Sequence, residues 1–411
     1  MKNFIYSSLL FIIYLIITSS CGINRPIEQI QKPKEISIKK PDIVVDIKTG
    51  AENIDAYWPL INNKKVGIVT NQTGIIPLEK NKYISIVDYL ISNKNINIIK
   101  IFAPEHGFRG TADAGELIKD GKDTKTGLPI VSLYGDNKKP KPGQLAEIEI
   151  MVFDLQDVGA RFYTYISTLH YMMEACAENN IPLLVLDRPN PNINVIDGPI
   201  LEKDFTSFVG MHPIPLLHGM TIGEYAKMIN GEKWLKNGIK CNLKVISCLN
   251  YSRKMKYSLP VKPSPNLPND QSINLYASLC LFEGTNVSIG RGTETQFQVY
   301  GSPFLPKSNY SFVPIPNFGA KEPLYKNEIC NGELLTNYPK VDKLEFKWLI
   351  KAYNSTNDKT KFFNPFFTKL AGNKKLQIQI EKGTSEIEIR KTWAKGLEDF
   401  KKMRFKYLLY K

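Results

Sequence analysis

Apolar and polar positions fall in blocks along this chain. Four apolar runs stand out, the first three rich in β-branched residues: Lys65–Thr70, Asn97–Phe102, Ile148–Phe153 and Leu183–Leu186. Each has the length of a strand. Each gives way to a polar segment: Asn71-Gln72-Thr73-Gly74, Ala103-Pro104-Glu105-His106-Gly107, Asp154-Leu155-Gln156-Asp157-Val158-Gly159, and Asp187-Arg188-Pro189-Asn190-Pro191. Helix-length stretches lie between them. The clearest runs from Tyr165 to Asn179 and puts Ile166, Leu169, Met172, Met173 and Cys176 on one face.

Strands alternating with helices predict an α/β fold with a mostly parallel sheet covered on both faces. In open sheets of this kind, ligands bind beyond the carboxyl ends of the strands. The four polar segments are therefore expected to share one functional edge. A Pro-rich stretch, Pro260 to Pro268, marks the expected domain boundary. It divides residues 46–262 from a smaller domain at 263–411, whose mixed helical and strand-like pieces read as α+β.

The N-terminus changes the picture of where the chain works. Lys2 precedes an apolar stretch from Phe4 to Ile17, and Thr18-Ser19-Ser20 lead into Cys21. That stretch is shorter than the roughly 20 residues of a membrane span, so residues 1–20 read as a signal peptide. Small residues before a cysteine resemble a bacterial lipobox, with Cys21 acylated as the new N-terminus; Thr18 stands where that pattern has Leu. An ordinary secretory signal with an incidental cysteine is the alternative. Residues 21–45, polar and without periodicity, read as a tether. The expected product is an exported lipoprotein on the periplasmic or cell-surface side of the membrane.

The remaining composition is that of an ordinary globular chain: 43% hydrophobic and 23% charged residues. The net charge of +14 comes from lysines scattered along the sequence. No helix-turn-helix, zinc-finger or aromatic–basic pattern accompanies them, so a basic surface is favoured over a nucleic-acid partner. Cys176, Cys241, Cys248, Cys280 and Cys330 sit in apolar contexts and read as buried thiols, with a Cys241–Cys248 pair as the one disulfide to consider. Four histidines without neighbouring cysteines argue against a zinc site. There is no Walker lysine loop, no Gly-x-Gly-x-x-Gly fingerprint, no Gly-x-Ser-x-Gly elbow and no His-Glu-x-x-His. No metal and no cofactor are expected.

Candidate chemistry gathers in a few segments. In Glu105-His106-Gly107-Phe108-Arg109-Gly110 two titratable groups follow a buried strand and are flanked by glycine. Burial at such a rim disfavours the charged form of a carboxyl and so helps it keep the proton that a general acid needs; otherwise Glu105 pairs with Arg109 and His106 caps a neighbouring helix. Asp113 and Glu116 extend the same loop. Asp157, Arg161 and Tyr163 combine a carboxylate, a guanidinium and an aromatic ring, as sugar sites do, although Asp157 or Thr164 could instead cap the next helix. Asp187 and Asn190 reach into the same cleft or close a turn. His218 precedes a helix whose capping box is Thr221 with Glu224. In the second domain, Glu283-Gly284-Thr285-Asn286 and Arg291-Gly292-Thr293-Glu294 place charges beside glycines, and the Arg291 fork could anchor a carboxylate.

Taken in order, Pro104–Gly110, Phe153–Tyr165, Asp187–Pro191, Glu283–Asn286 and Gly290–Thr293 resemble the motifs of the NamZ-type exo-β-N-acetylmuramidases. The likeness runs from about Val44 to the C-terminus. It implies a Rossmann-like N-terminal domain, a smaller C-terminal domain completing a cleft, and release of N-acetylmuramic acid from the non-reducing end of peptidoglycan fragments. It also implies Glu105 as the catalytic carboxyl, which we read as a general acid with His106 orienting it.

Asp157 or Glu294 is the expected second carboxylate. Arg109, Arg161 and Arg291 are the expected anchors for the lactyl carboxylate, with Tyr163, Asp187, Asn190, His218, Glu283 and Asn286 around the sugar. Retention, inversion and participation of the substrate's acetamido group all stay open. So do two other functions: a non-catalytic lectin for cell-wall amino sugars, and an esterase or amidase acting on the same fragments.

Overall fold

A computed structural model describes residues 46–79, 82–109 and 120–411. The signal segment 1–20, the tether 21–45 with Cys21, and Asp113 and Glu116 lie outside the described residues. The N-terminal part of the rest contributes β1 (Val66–Thr70), β2 (Ile75–Glu79), β3 (Lys82–Ser85), β4 (Ile98–Ala103), β5 (Gly121–Lys122), β6 (Pro129–Ser132), β7 (Ile150–Asp154), β8 (Leu183–Leu186) and β9 (Leu243–Ile246). Its principal helices are α1 (Ile54–Ile61), α2 (Ile86–Lys94), α3 (Pro142–Leu145), α4 (Tyr165–Glu178) and α5 (Ile222–Gly231).

One seven-stranded sheet runs in the order β5-β6-β4-β1-β7-β8-β9, and every pairing but β5–β6 is parallel. Strands added outward on one side of β1 as the chain runs on through β4 and β6, and then on the other from β7 to β9, make the doubly wound Rossmann order. The winding reverses between β1 and β7, and that reversal opens a crevice at the carboxyl ends of the two strands.

Period-two alternation explains how the central strands hold two cores apart. Val66, Ile68, Ile101, Val152, Leu184 and Leu186 face one cluster, shared with Tyr57 and Ile61 of α1 and Leu90 of α2. Val69, Phe102, Met151, Phe153, Leu183 and Val185 face the other, shared with α4 and α5.

That second core runs on past the Pro-rich stretch 260–268. It continues into Leu275 and Leu279 of α6 (Asp270–Leu279), then Phe297, Trp348 of α7 (Lys347–Ser355), Phe367 of α8 (Phe366–Ala371), Ile380 of α9 (Lys375–Glu381) and Trp393 of α10 (Glu386–Phe405). A small antiparallel sheet, β10 (Val299–Ser302), β12 (Cys330–Leu334) and β11 (Tyr310–Phe312) in that order, completes this part.

The four expected strands and the expected α4 are present, and Thr221 with Glu224 closes the expected capping box at α5. Cys241 and Cys248 are not bridged: all five described cysteines are buried free thiols.

The C-terminal tail fastens onto the end of β8. The Tyr410 hydroxyl donates to the Asp187 carboxylate at 2.6 Å, and Asp187 also accepts from Thr221 Oγ1 and from the Gly223 and Arg188 amides. Burial nevertheless pushes the Asp187 carboxyl up to about 6, against these four donors. Because its folded value lies above its unfolded one, the folded chain holds this proton more tightly. The contribution is fully present below about pH 4 and is lost as pH rises through 6. Between pH 4 and 7 the wild type is expected to lose on the order of 2 kcal/mol more than Asp187→Asn. Urea midpoints of both proteins across that range check it.

Candidate active site

β4 is a buried strand that ends at Ala103, and the chain turns at once: the Gly107 amide donates to the Pro104 carbonyl at 3.0 Å. The turn takes His106 to φ 72° and Gly107 to φ 76°. A left-handed histidine costs energy that the surroundings must repay, and such residues cluster at functional sites. The result presents Glu105 and His106, the latter almost wholly buried, to a cavity of about 800 Å³.

Two hydroxyls fix the Glu105 carboxylate. Thr164 Oγ1 donates to Glu105 Oε2 at 2.8 Å. Thr164 occupies the N-cap of α4, yet its side chain makes no capping bond there. A hydroxyl that would ordinarily stabilise the helix by about 1 kcal/mol is turned to the glutamate instead.

The second partner is Tyr134, whose phenol hydrogen-bonds Glu105. Burial, and then the charge of Glu105, push the Tyr134 phenol well above the ordinary tyrosine range, so it stays a donor at neutral pH. The same two causes raise Tyr165, whose oxygen accepts from Asn71 Nδ2 at 2.6 Å at the end of β1. Tyr163 packs edge-on against Tyr165, 4.8 Å between ring centres, and donates to the Pro263 carbonyl at 2.8 Å. That bond ties the Pro-rich segment to the cavity wall.

The second domain brings the opposite wall. Glu283 and Arg291 both line the cavity. Arg291 Nε and Nη2 converge on Glu283 Oε1 at 2.8 and 2.5 Å, and the guanidinium lies 5.2 Å over the Phe297 ring. Tyr276, Lys321 and Pro323 continue this wall.

Of the residues singled out in the sequence, Glu105, His106, Tyr163, Glu283 and Arg291 thus meet at one hollow. The others are placed elsewhere. Arg109 holds Asp123 through two hydrogen bonds, at 3.1 and 2.8 Å, outside the lining. Arg161 is fully buried and donates to the carbonyls of Pro199, Ile214, Leu370 and Ala371. Asp157 accepts from the Gly159 amide at 2.7 Å and lies 3.4 Å from His218 Nε2; both are buried and outside the cavity lining.

Asp187 and Asn190 are buried among backbone and hydroxyl partners; Asn190 Nδ2 donates to the Met220 carbonyl. Glu294 is exposed to solvent and Asn286 borders a different hollow, beside Phe304 and Thr356. Among the described residues, Glu283 and Glu322 line the cavity with Glu105, whereas Asp157 and Glu294 do not; Glu322 is exposed and paired with Lys326 at 3.2 Å, which leaves Glu283 as the enclosed companion carboxylate.

Tyr134, Lys138, Thr164 and Phe208 also line the hollow and were not singled out as sugar contacts. Tyr134 carried a readable signal, an aromatic just past the C-terminal end of β6. Phe208 carried none. It sits at the tip of a tight turn closed by reciprocal bonds between Ser207 and Gly210.

Two family profiles match nearly the whole described fold. The profile described as the N-terminal part of the exo-β-N-acetylmuramidase NamZ matches residues 66–271, and that described as its C-terminal part matches residues 274–410. The peptidoglycan β-N-acetylmuramidase NamZ of Bacillus subtilis is 40% identical over 398 residues, 92% of this chain and 94% of that protein. Crystal structures of two proteins of the DUF1343 family from Bacteroides fragilis each cover 89% of this chain and 99% of their own. One is 44% identical with a TM-score of 0.82, the other 32% identical with a TM-score of 0.74. Over both halves and in the order of its motifs, this chain belongs to the exo-β-N-acetylmuramidase NamZ family.

Proposed function

We propose that the protein is an exo-acting glycoside hydrolase that releases N-acetylmuramic acid from the non-reducing end of peptidoglycan fragments. One observation carries the reading. Glu105 opens from the end of β4, beside the crevice of a Rossmann-type sheet, into a cavity large enough for an amino sugar, and is held there by Thr164 and Tyr134. A carboxyl so placed can protonate the glycosidic oxygen as the bond breaks. Glu283, from the second domain, faces the same space and supplies negative charge toward an oxocarbenium-like transition state. Arg291 fixes the orientation of Glu283.

Incubation with a chromogenic N-acetylmuramide tests this: release of the chromophore is expected, and no release under any condition would exclude the activity.

The cellular setting is part of the same proposal. The apolar stretch 4–17 followed by Thr18-Ser19-Ser20-Cys21 supports export and acylation at Cys21. Metabolic labelling with an alkyne fatty acid is expected to mark the wild type and leave Cys21→Ala unmarked. Equal labelling of both would remove the lipid anchor.

A further inference from the structure

A muramic acid differs from its glucosamine counterpart by a lactyl carboxylate, so an enzyme that selects it needs a cation placed for that group. The arginines of the fold are already engaged where they approach the site. Arg109 is paired with Asp123, and Arg161 is buried in the interior with both terminal nitrogens donating to carbonyls. Arg291 lies in the cavity with its charge opposed by Glu283 at ion-pair distance.

Lys138 is different. It lines the cavity, and among the described residues no carboxylate comes within ion-pair distance of it. Its Nζ lies 5.2 Å from the centre of the Phe208 ring.

The segment that carries Lys138 is braced. Asn137 Nδ2 donates to the Ser132 carbonyl at 2.7 Å, and Lys139 bridges Glu174 and Glu178 on α4 at 2.7 Å each. Lys139 thus uses the nearby carboxylates, while Lys138 faces the cavity. The wall on which it stands leads directly to the reacting group: Phe208 meets the Tyr134 ring edge-on at 6.2 Å, and Tyr134 hydrogen-bonds Glu105. An ammonium held over an aromatic face keeps its charge available to an anion while giving up little freedom on binding.

We propose that Lys138 is the specificity residue of this site and pairs with the lactyl carboxylate of the sugar whose glycosidic bond Glu105 protonates. The inference rests on the muramidase reading above, and the experiment separates the two.

Dissociation constants are measured for N-acetylmuramic acid and for its methyl ester, which lacks the charge, on the wild type, Lys138→Met and Lys138→Arg. Turnover of the chromogenic N-acetylmuramide by the wild type is measured alongside. Lys138→Met is expected to bind the free acid roughly 10- to 100-fold more weakly, the factor of a lost charge-assisted hydrogen bond, with the ester little changed. Lys138→Arg is expected to recover most of the loss. Equal weakening of acid and ester, or no weakening of either, would overturn the role of Lys138 while leaving the muramidase reading intact. A wild type that neither turns over the glycoside nor binds the acid would remove both.

Discussion

Replacing Glu105 with glutamine is expected to lower kcat on a chromogenic N-acetylmuramide by roughly 10²- to 10⁴-fold, the usual contribution of a positioned general acid. Glutamine keeps the shape of the side chain and an oxygen that can still accept from Thr164, so the turn at His106 and the cavity are expected to survive. Only the transferable proton is lost. Affinity for free N-acetylmuramic acid should therefore change little, because the ground-state contacts come from other groups. Single-turnover kinetics with product-binding measurements on the same preparation check this. A parallel collapse of binding and turnover would show that Glu105 holds the sugar rather than protonating it.

The second large effect concerns stability. Arg161 lies wholly in the interior and donates to four carbonyl oxygens, at 2.8 Å to Pro199, Ile214 and Ala371 and at 3.0 Å to Leu370. Leu370 and Ala371 form the last turn of α8, where helix carbonyls have no partner of their own. Arg161, carried by the first domain, thus finishes a helix of the second, and that helix places Phe366 and Leu370 in the cavity wall.

Arg161→Met removes the donors and leaves buried acceptors unpaired, at an expected cost of about 3–5 kcal/mol. Arg161→Lys is expected to recover little, since a compact ammonium cannot span the positions that the planar fork reaches. The fit is close: a Cβ added at Gly372 would come within 2.4 Å of Arg161 Nη2. Urea unfolding of both variants checks the prediction, with a midpoint near that of the wild type as the contrary result.

These two arginine-and-glutamate cases show what a sequence can and cannot disclose. The strands are legible because buried parallel strands are written as short, mostly apolar runs, and β8 occurs where Leu183–Leu186 predicts it. Two outer parallel strands were not. Leu243-Lys244-Val245-Ile246 in β9 alternates weakly, and Pro129-Ile130-Val131-Ser132 in β6 opens on a proline.

The polar segments after the strands were also legible as a group, and Glu105 and His106 stand where that reading puts them. Roles within the segments are not legible in the sequence, for a physical reason. The same residue types that bind sugar hydroxyls also satisfy the backbone groups freed where strands end. Arg161, Asp157, Asn190 and Asp187 do the latter, and only burial and hydrogen-bond partners tell the two uses apart. Glu283 stands beside a glycine in the sequence and becomes a companion carboxylate only where the second domain folds against the first. Lys138 stands in a run of lysines without any local mark; that its charge is unpaired among the described residues is legible only in three dimensions.

The central claim is that one sugar ring lies between Glu105 from the first domain and the Glu283–Arg291 pair from the second. A crystal structure of the Glu105→Gln variant soaked with a chromogenic N-acetylmuramide tests it most directly. The account predicts the glycosidic oxygen within hydrogen-bond distance of the side chain at position 105 and the sugar ring enclosed by both domains. A sugar bound outside this cavity, or within it but with its glycosidic oxygen turned away from position 105, would contradict it.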